Sequence, residues 1–137
     1  MKYLVDTVWV IDHFCKAGKV TKKLEELAPE GLALSIISLA ELYEGIYYAH
    51  NPIQSEAMLE DFLASDLVVL GIDEEICRIF GKERGRLRRQ GQNISDLDLL
   101  IAATCLRYDL TLLSNNRKHF KMVKGLRIIS VREDVSE

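Results

Sequence analysis

The sequence predicts an α/β fold, a three-layer α/β/α sandwich around a central, mainly parallel sheet of four to five strands. Three observations carry that expectation. Short apolar runs alternate along the chain with longer segments of helical periodicity. Such alternation implies parallel strands joined by right-handed crossovers, with helices covering both faces of the sheet. Four acidic or amide residues, Asp6, Glu41, Asp98 and Asn116, fall where this fold would gather them, because the loops after parallel strands form one crevice.

The elements follow in order. Lys2–Val5 reads as a first strand, bounded by Asp6-Thr7. Val8–Cys15 and Val20–Leu27 read as short helices broken at Ala17-Gly18. Pro29-Glu30-Gly31 is a turn and Leu32–Ser35 a second strand. Ser38 is the expected N-cap of the next helix, because Ser38-x-x-Glu41 has the form of a capping box. Leu39, Leu42, Ile46 and Ala49 then recur at helical spacing. After Asn51-Pro52 restarts the chain, Ser55–Ala64 is helical and Leu67–Leu70 a third strand. Asp73 caps a helix running towards Arg89 that buries Ile76, Phe80 and Leu87. Gly91-Gln92-Asn93 forms a loop, and Ser95–Tyr108 is a strongly apolar and therefore central helix. Leu110–Leu113 and Arg127–Val131 close the sheet.

The bulk properties fit one domain over residues 1–137. That length can bury a substantial core. With 48% hydrophobic and 28% charged residues the composition is that of a globular chain, not a disordered one. Cys15, Cys77 and Cys105 are odd in number and form no CxxC pair, which argues for a reducing compartment and against a disulfide framework or zinc site. Each lies among apolar residues and is expected to be a small buried hydrophobe. No signal-peptide pattern or membrane-length apolar run is visible, so the expected location is cytoplasmic, with no membrane partner.

A net charge of −3 is not that of a protein that coats nucleic acid. Its distribution says more. Arg78, Lys82, Arg84, Arg86, Arg88 and Arg89 cluster on one segment opposed only by Glu83. Such a patch beside an acidic site would suit a phosphodiester backbone, with Arg84, Arg86, Arg88 and Arg89 as candidate substrate contacts. It equally suits a solvated helix face paired with acids elsewhere, or a docking site for an acidic protein.

The acidic constellation points to a metal. Two unit charges roughly 4 Å apart interact by about 4 kcal/mol at an effective dielectric of about 20. Carboxylates gathered in one crevice therefore repel unless something positive lies between them, and a divalent ion is the simplest remedy. The histidines offer no competing chemistry: His13, His50 and His119 share no metal-ligand spacing, and no phosphate-cradling glycine loop is present.

Several segments together resemble a known family. Tyr3-Leu4-Val5-Asp6-Thr7 resembles the opening of a PIN domain. Ile37-Ser38-Leu39-Ala40-Glu41-Leu42-Tyr43-Glu44-Gly45 is similar to its second motif, and Ser95-Asp96-Leu97-Asp98-Leu99-Leu100-Ile101-Ala102-Ala103-Thr104 to its third. Leu110–Phe120 resembles the fourth and Gly125–Ile128 the closing strand. The ordered set spans nearly the whole chain and is most similar to the VapC-type toxins of prokaryotic toxin–antitoxin pairs.

The resemblance implies a PIN-like sandwich, a magnesium- or manganese-dependent endoribonuclease, a homodimer, and a cognate antitoxin that blocks the site. Asp6, Glu41 and Asp98 match the family's three acids, Asn116 a fourth position that is Asp or Asn, and Ser114 a supporting hydroxyl. Asp6 and Asp98 are then the expected metal ligands, directly or through water, Glu41 either holds a metal-bound water or orients and deprotonates the attacking one, and Asn116 has an auxiliary role. Two departures stand out. Val8 occupies a position where the family has Asn, Ser or Thr, which leaves Thr7 as the nearest hydroxyl. Asp96 competes with Asp98, and its place at the helix start suits capping, so it is assigned an accessory role. Trp9, Tyr43, Tyr47 and Tyr48 read either as helix–helix packing or as the lining of a groove or dimer surface. Val8 also leaves open a second function, a PIN-like RNA- or protein-binding module with weak or no catalysis. A haloacid-dehalogenase-type phosphatase would need an acid where Val8 stands.

Overall fold

The computed structural model describes residues 1–131. Five strands form one parallel sheet: β1 (Tyr3–Val5), β2 (Leu32–Ser35), β3 (Leu67–Leu70), β4 (Thr111–Leu113) and β5 (Ile128–Ile129), in the order β3-β2-β1-β4-β5. The register pairs Leu4 with Ala33 on one side and with Leu112 on the other. Seven helices join the strands: α1 (Thr7–Phe14), α2 (Gly18–Leu27), α3 (Ile36–Tyr47), α4 (Pro52–Ala64), α5 (Glu74–Arg89), α6 (Asp96–Tyr108) and α7 (Arg117–Phe120).

Strand alternation divides the core into two layers. Tyr3, Val5, Leu32, Leu34 and Leu113 face a cluster containing Trp9, Val10, Leu24, Leu42 and Leu59 from α1 to α4. Leu4, Ala33 and Leu112 face the opposite cluster, with Leu87, Leu99, Ile101 and Phe120 from α5 to α7. Successive side chains on a strand point to opposite faces, so apolar runs without alternation must be covered on both sides. Each fully buried Leu or Ile contributes about 1.5–3 kcal/mol relative to an exposed one. The expected three-layer architecture is therefore the observed one.

The boundaries differ in informative ways. Helix α3 starts at Ile36 with Ser35 as its cap, whose hydroxyl accepts from the Ile37 N–H at 3.0 Å. The Ser38–Glu41 capping box does not form: Ser38 lies one turn further in, fully buried. Helix α4 begins at Pro52 rather than Ser55, because Asn51 caps it through the Gln54 N–H and proline at the first position forfeits no hydrogen bond. The short helix α7 was not expected, and β5 is shorter than Arg127–Val131. Asp73 caps α5 as expected, accepting from the Ile76 N–H at 2.8 Å.

Two of the three cysteines are not buried. Cys105 lies in the core, whereas Cys15 and Cys77 are exposed. Cys77 follows the buried Ile76 and so stands about 100° off the stripe that α5 buries, while Cys15 is the residue that ends α1. No helix among the described residues is long and apolar enough to cross a membrane.

Gly31 sets the entry into β2. Its φ is +97°, and its carbonyl accepts from the N–H groups of Lys2 and Tyr3 at 3.0 and 3.2 Å. A Cβ there would meet the Met1 backbone at 2.6 Å. Gly31→Ala should lower stability by about 1–3 kcal/mol, the usual cost of forcing a side chain into this region. Urea unfolding measures it; an unchanged midpoint would show that the turn is not under this constraint.

Candidate active site

The strand order reverses at β1. From there the chain builds outward through β2 and β3, then returns to place β4 and β5 on the other side. Ligands in open α/β sheets bind outside the carboxyl ends of the strands at such a switch point. Asp6 immediately follows β1 and Ser114 immediately follows β4, so both stand at this crevice.

Asp6 is 5% exposed. One carboxylate oxygen accepts from the Thr7 N–H at 2.8 Å and caps α1; the other accepts from the Ser114 hydroxyl at 2.8 Å. Ser114 is fully buried, and its oxygen in turn accepts from the Asn116 N–H at 3.0 Å. Sheet end, helix cap and the following turn are thus joined through two side-chain oxygens.

Burial pushes the Asp6 pKa up to about 6. The Ser114 hydroxyl acts against this, the charge of Asp98 adds to it, the Thr7 N–H opposes it, and the charge of Glu41 adds again. The fold therefore brings the three expected acids within electrostatic reach of one another. Asp98 lies in the first turn of α6, where the helix dipole favours a negative charge; its N–H donates to the Ser95 cap at 3.2 Å.

Glu41 is held from an unexpected direction. Thr7 Oγ1 lies 2.6 Å from Glu41 Oε1 and 2.8 Å from Ser38 Oγ. A hydroxyl has one proton and an ionised carboxylate only accepts, so Thr7 donates to Glu41 and the Ser38 hydroxyl donates to Thr7. Val8 is 53% exposed and takes no part. The neighbouring Thr7 hydroxyl holds Glu41, while its backbone N–H, not a hydroxyl, holds Asp6.

The remaining expected residues divide. Asn116 joins the site through its backbone, and its amide nitrogen lies 3.2 Å from His119 Nδ1. Asp96 is exposed and engaged by Arg84 at 2.6 Å. That arginine, its side chain 11% exposed and stacked over Phe80, ties α5 to the start of α6. Arg86 is bound to Glu83, Gln90 and the Met122 carbonyl. Arg88 and Arg89 are exposed. Two of the four arginines considered for substrate are thus internal fastenings.

Two residues have roles that the sequence does not assign, Ser38 being expected only as a helix cap. Ser38 signals itself only once Thr7 is known to face it. Asn115 accepts from the Trp9 indole N–H at 3.1 Å and the Val131 N–H at 2.9 Å, and donates to the Val131 carbonyl at 3.3 Å. It fastens α1 to the chain after β5. Trp9 is fully buried, which agrees with the packing reading, while Tyr47 and Tyr48 are exposed.

The donor set at the crevice is all oxygen, as hard divalent cations require. Each Asp6 oxygen accepts one hydrogen bond and keeps a second lone pair, and a cation would offset the burial that chiefly raises the Asp6 pKa and the lesser repulsion from Asp98 and Glu41. Among the described residues no group of three or more His, Cys, Asp or Glu side chains is placed to hold a metal ion. Magnesium does not require such a group, since it commonly takes one or two carboxylates and completes its shell with water. The residues present fit such an ion.

A parallel sheet with Asp6 at its switch point and the charges of Asp98 and Glu41 within reach of it defines an α/β protein with an acidic crevice. The sequence profile of the PIN domain matches residues 3–126, and the chain belongs to this family. It is 39% identical over 129 residues to Ribonuclease VapC1 of Methanocaldococcus jannaschii, covering 93% of this chain and 86% of that protein. It is 32% identical to a Ribonuclease VapC1 of Haemophilus influenzae, over 93% and 96% of the two chains. Among solved structures, VapBC2 from Rickettsia felis bound to a promoter DNA fragment aligns with a TM-score of 0.88 at 30% identity, covering 95% of this chain and 98% of that one.

The raised Asp6 pKa has a testable sign. With a folded-state value of about 6, above the ordinary value, the protonated carboxyl contributes stability that is fully present below about pH 4 and lost as pH rises through about 6. Asp6→Asn should therefore stabilise the protein in EDTA at about pH 7 by about 1–3 kcal/mol, and the gain should vanish near pH 4. Urea unfolding at the two pH values measures the difference; a gain equal at both would contradict it.

Proposed function

We propose that this chain is a metal-dependent endoribonuclease, magnesium or manganese being its ion, and that it acts as the toxin of a toxin–antitoxin pair. The observation that carries the reading is the meeting of Asp6, Glu41 and Asp98 at the switch point, in a PIN domain chain whose relatives are named ribonucleases. Asp6 and Asp98 would hold the ion. When bound, it would neutralise charge developing on the phosphate and acidify a coordinated water.

The protein's own groups supply the rest. Glu41 is fixed by the Thr7 hydroxyl and orients the attacking water, accepting its proton. Ser114 and the Thr7 N–H hold Asp6 in one rotamer, so its free lone pairs face the crevice at no ordering cost during reaction. Asn116, which is neutral, positions a water or substrate oxygen without adding to the repulsion. In-line hydrolysis of the phosphodiester leaves a 5′-phosphate and a 3′-hydroxyl.

Two features support an antitoxin partner. Structures similar to this chain are VapBC complexes. A groove of about 230 Å³ lined by Ile11, Phe14, Leu42, Ile46 and Met58 has Glu41 among its walls. An antitoxin segment with apolar anchors and one basic side chain would fill it and reach the carboxylates. Val8 and Ile11, both exposed on α1, would extend that apolar contact. The homodimer belongs to the same reading, with exposed Tyr47, Tyr48 and Ile53 as the surface it would cover.

The second reading, a PIN-like module without catalysis, rested on Val8. Against it, Asp6 and Glu41 are both held without a hydroxyl at position 8, by the Thr7 N–H and the Thr7 hydroxyl. One experiment separates the two. Purified protein should cut RNA with magnesium or manganese and not with EDTA. Asp6→Asn and Asp98→Asn should each lower the rate by at least about a hundredfold while circular dichroism stays unchanged. RNA binding without metal-dependent cleavage would favour the inert module, and normal cleavage by either variant would remove that residue from the site.

A further inference from the structure

Three acids at the reaction centre repel an RNA backbone, so cations beside them must hold it. Helix α5 supplies few, because Arg84 and Arg86 are bound internally. A second basic run follows Ser114, the hydrogen-bond partner of Asp6, although its Arg127 is held by Asp109. From Leu110 to Arg132 the sequence contains Arg117, Lys118, Lys121, Lys124, Arg127 and Arg132 and no Asp or Glu. Its centre is α7, directly after the Ser114–Asn116 turn that supports Asp6.

We propose that the exposed edge of α7 formed by Lys118 and His119 binds a backbone phosphate of the RNA next to the bond that is cut. This rests on the ribonuclease reading for its substrate class. The placement comes from continuous contacts: Asp6 Oδ2 to Ser114 Oγ at 2.8 Å, Ser114 Oγ to Asn116 N at 3.0 Å, and Asn116 Nδ2 to His119 Nδ1 at 3.2 Å. An amide N–H only donates, so His119 Nδ1 accepts and the ring proton sits on Nε2, at the opposite edge of the imidazole. The His119 ring is exposed, leaving Nε2–H as a donor towards solvent.

Lys118 is exposed, and among the described residues nothing accepts from its ammonium group. Arg117 has a different task. Its guanidinium donates to the Ile128 carbonyl at 3.0 Å and anchors the short helix to β5. A fixed helix presenting an unpaired ammonium and an oriented N–H is chemistry suited to phosphate oxygens, which fix the register of a nucleic acid without reading its sequence. The charge complements a phosphate, and the hydrogen-bonded path from His119 through Asn116 and Ser114 to Asp6 joins this edge to the proposed reaction centre.

The test uses a fluorescein-labelled single-stranded RNA of mixed sequence. Lys118→Glu and His119→Gln should each raise KM about tenfold with kcat within about threefold, and Lys118→Arg should restore KM. Losing one phosphate contact should also reduce the slope of log(kcat/KM) against log salt by about 0.7, a change that a merely structural lesion does not produce. Unchanged KM and slope would overturn the proposal, as would an effect confined to Arg88→Ala and Arg89→Ala, or a Lys118→Glu defect only in binding an acidic protein. Anisotropy of the same RNA in EDTA separates this claim from the ribonuclease reading. If the wild type binds RNA through Lys118 and His119 but never cuts, the catalytic reading fails and this one stands; if it neither cuts nor binds, both fail.

Discussion

Asp6 accepts two hydrogen bonds in a place almost closed to water, and the rest of the site is arranged around that burial. The position follows from topology: the residue after β1 in a sheet that reverses its order there cannot avoid the crevice. Desolvation penalises the charge, and Asp98 and Glu41 penalise it further. The Ser114 hydroxyl and the Thr7 N–H offset part of that cost, enough to leave the carboxylate poised rather than permanently protonated. A site tuned this way gains from a cation, since the repulsion stored among three acids becomes attraction once an ion lies between them.

The Thr7 backbone and side chain do separate work. Its N–H holds Asp6 while its hydroxyl holds Glu41, so one residue at the start of α1 sets the spacing between two acids on different elements. Ser38 extends this link into the core of α3. Around it, three fastenings keep the elements in place: Arg84 on Asp96, Arg86 with Glu83 on the loop containing Met122, and Asn115 between Trp9 and Val131. None touches the crevice acids; the first steadies the start of α6, which carries Asp98, the third the start of α1 beside Asp6, and the second joins α5 to the loop after α7.

Fold class and the main acids were legible because they depend on local pattern. Apolar runs at strand length and stripes at helical spacing survive without knowledge of tertiary contacts, and Asp6, Glu41 and Asp98 sit in motifs tied to those elements. The capping error at Ser38 shows where local reading stops. Ser35 and Ser38 both precede a helical pattern, and only the position of Thr7, thirty-one residues away in sequence, decides that Ser38 is interior. The basic segment was legible only as charge: a run of arginines does not show its partners, and Arg84 and Arg86 find theirs on α6 and near Met122 while Arg88 and Arg89 stay exposed. Asn115 was invisible because its role is to join Trp9 to Val131, segments with no sequence proximity.

The central claim is that Asp6 is a buried carboxylate whose charge is disfavoured first by desolvation and then by Asp98 and Glu41, as the proposed cation site requires. Carbon-13 NMR titration of its side-chain carboxyl in metal-free protein tests this directly. The account predicts a midpoint near 6 that falls when Asp98→Asn removes one neighbouring charge, and falls again when magnesium is added. A midpoint near the ordinary aspartate value of about 3.9, unmoved by either change, would contradict it.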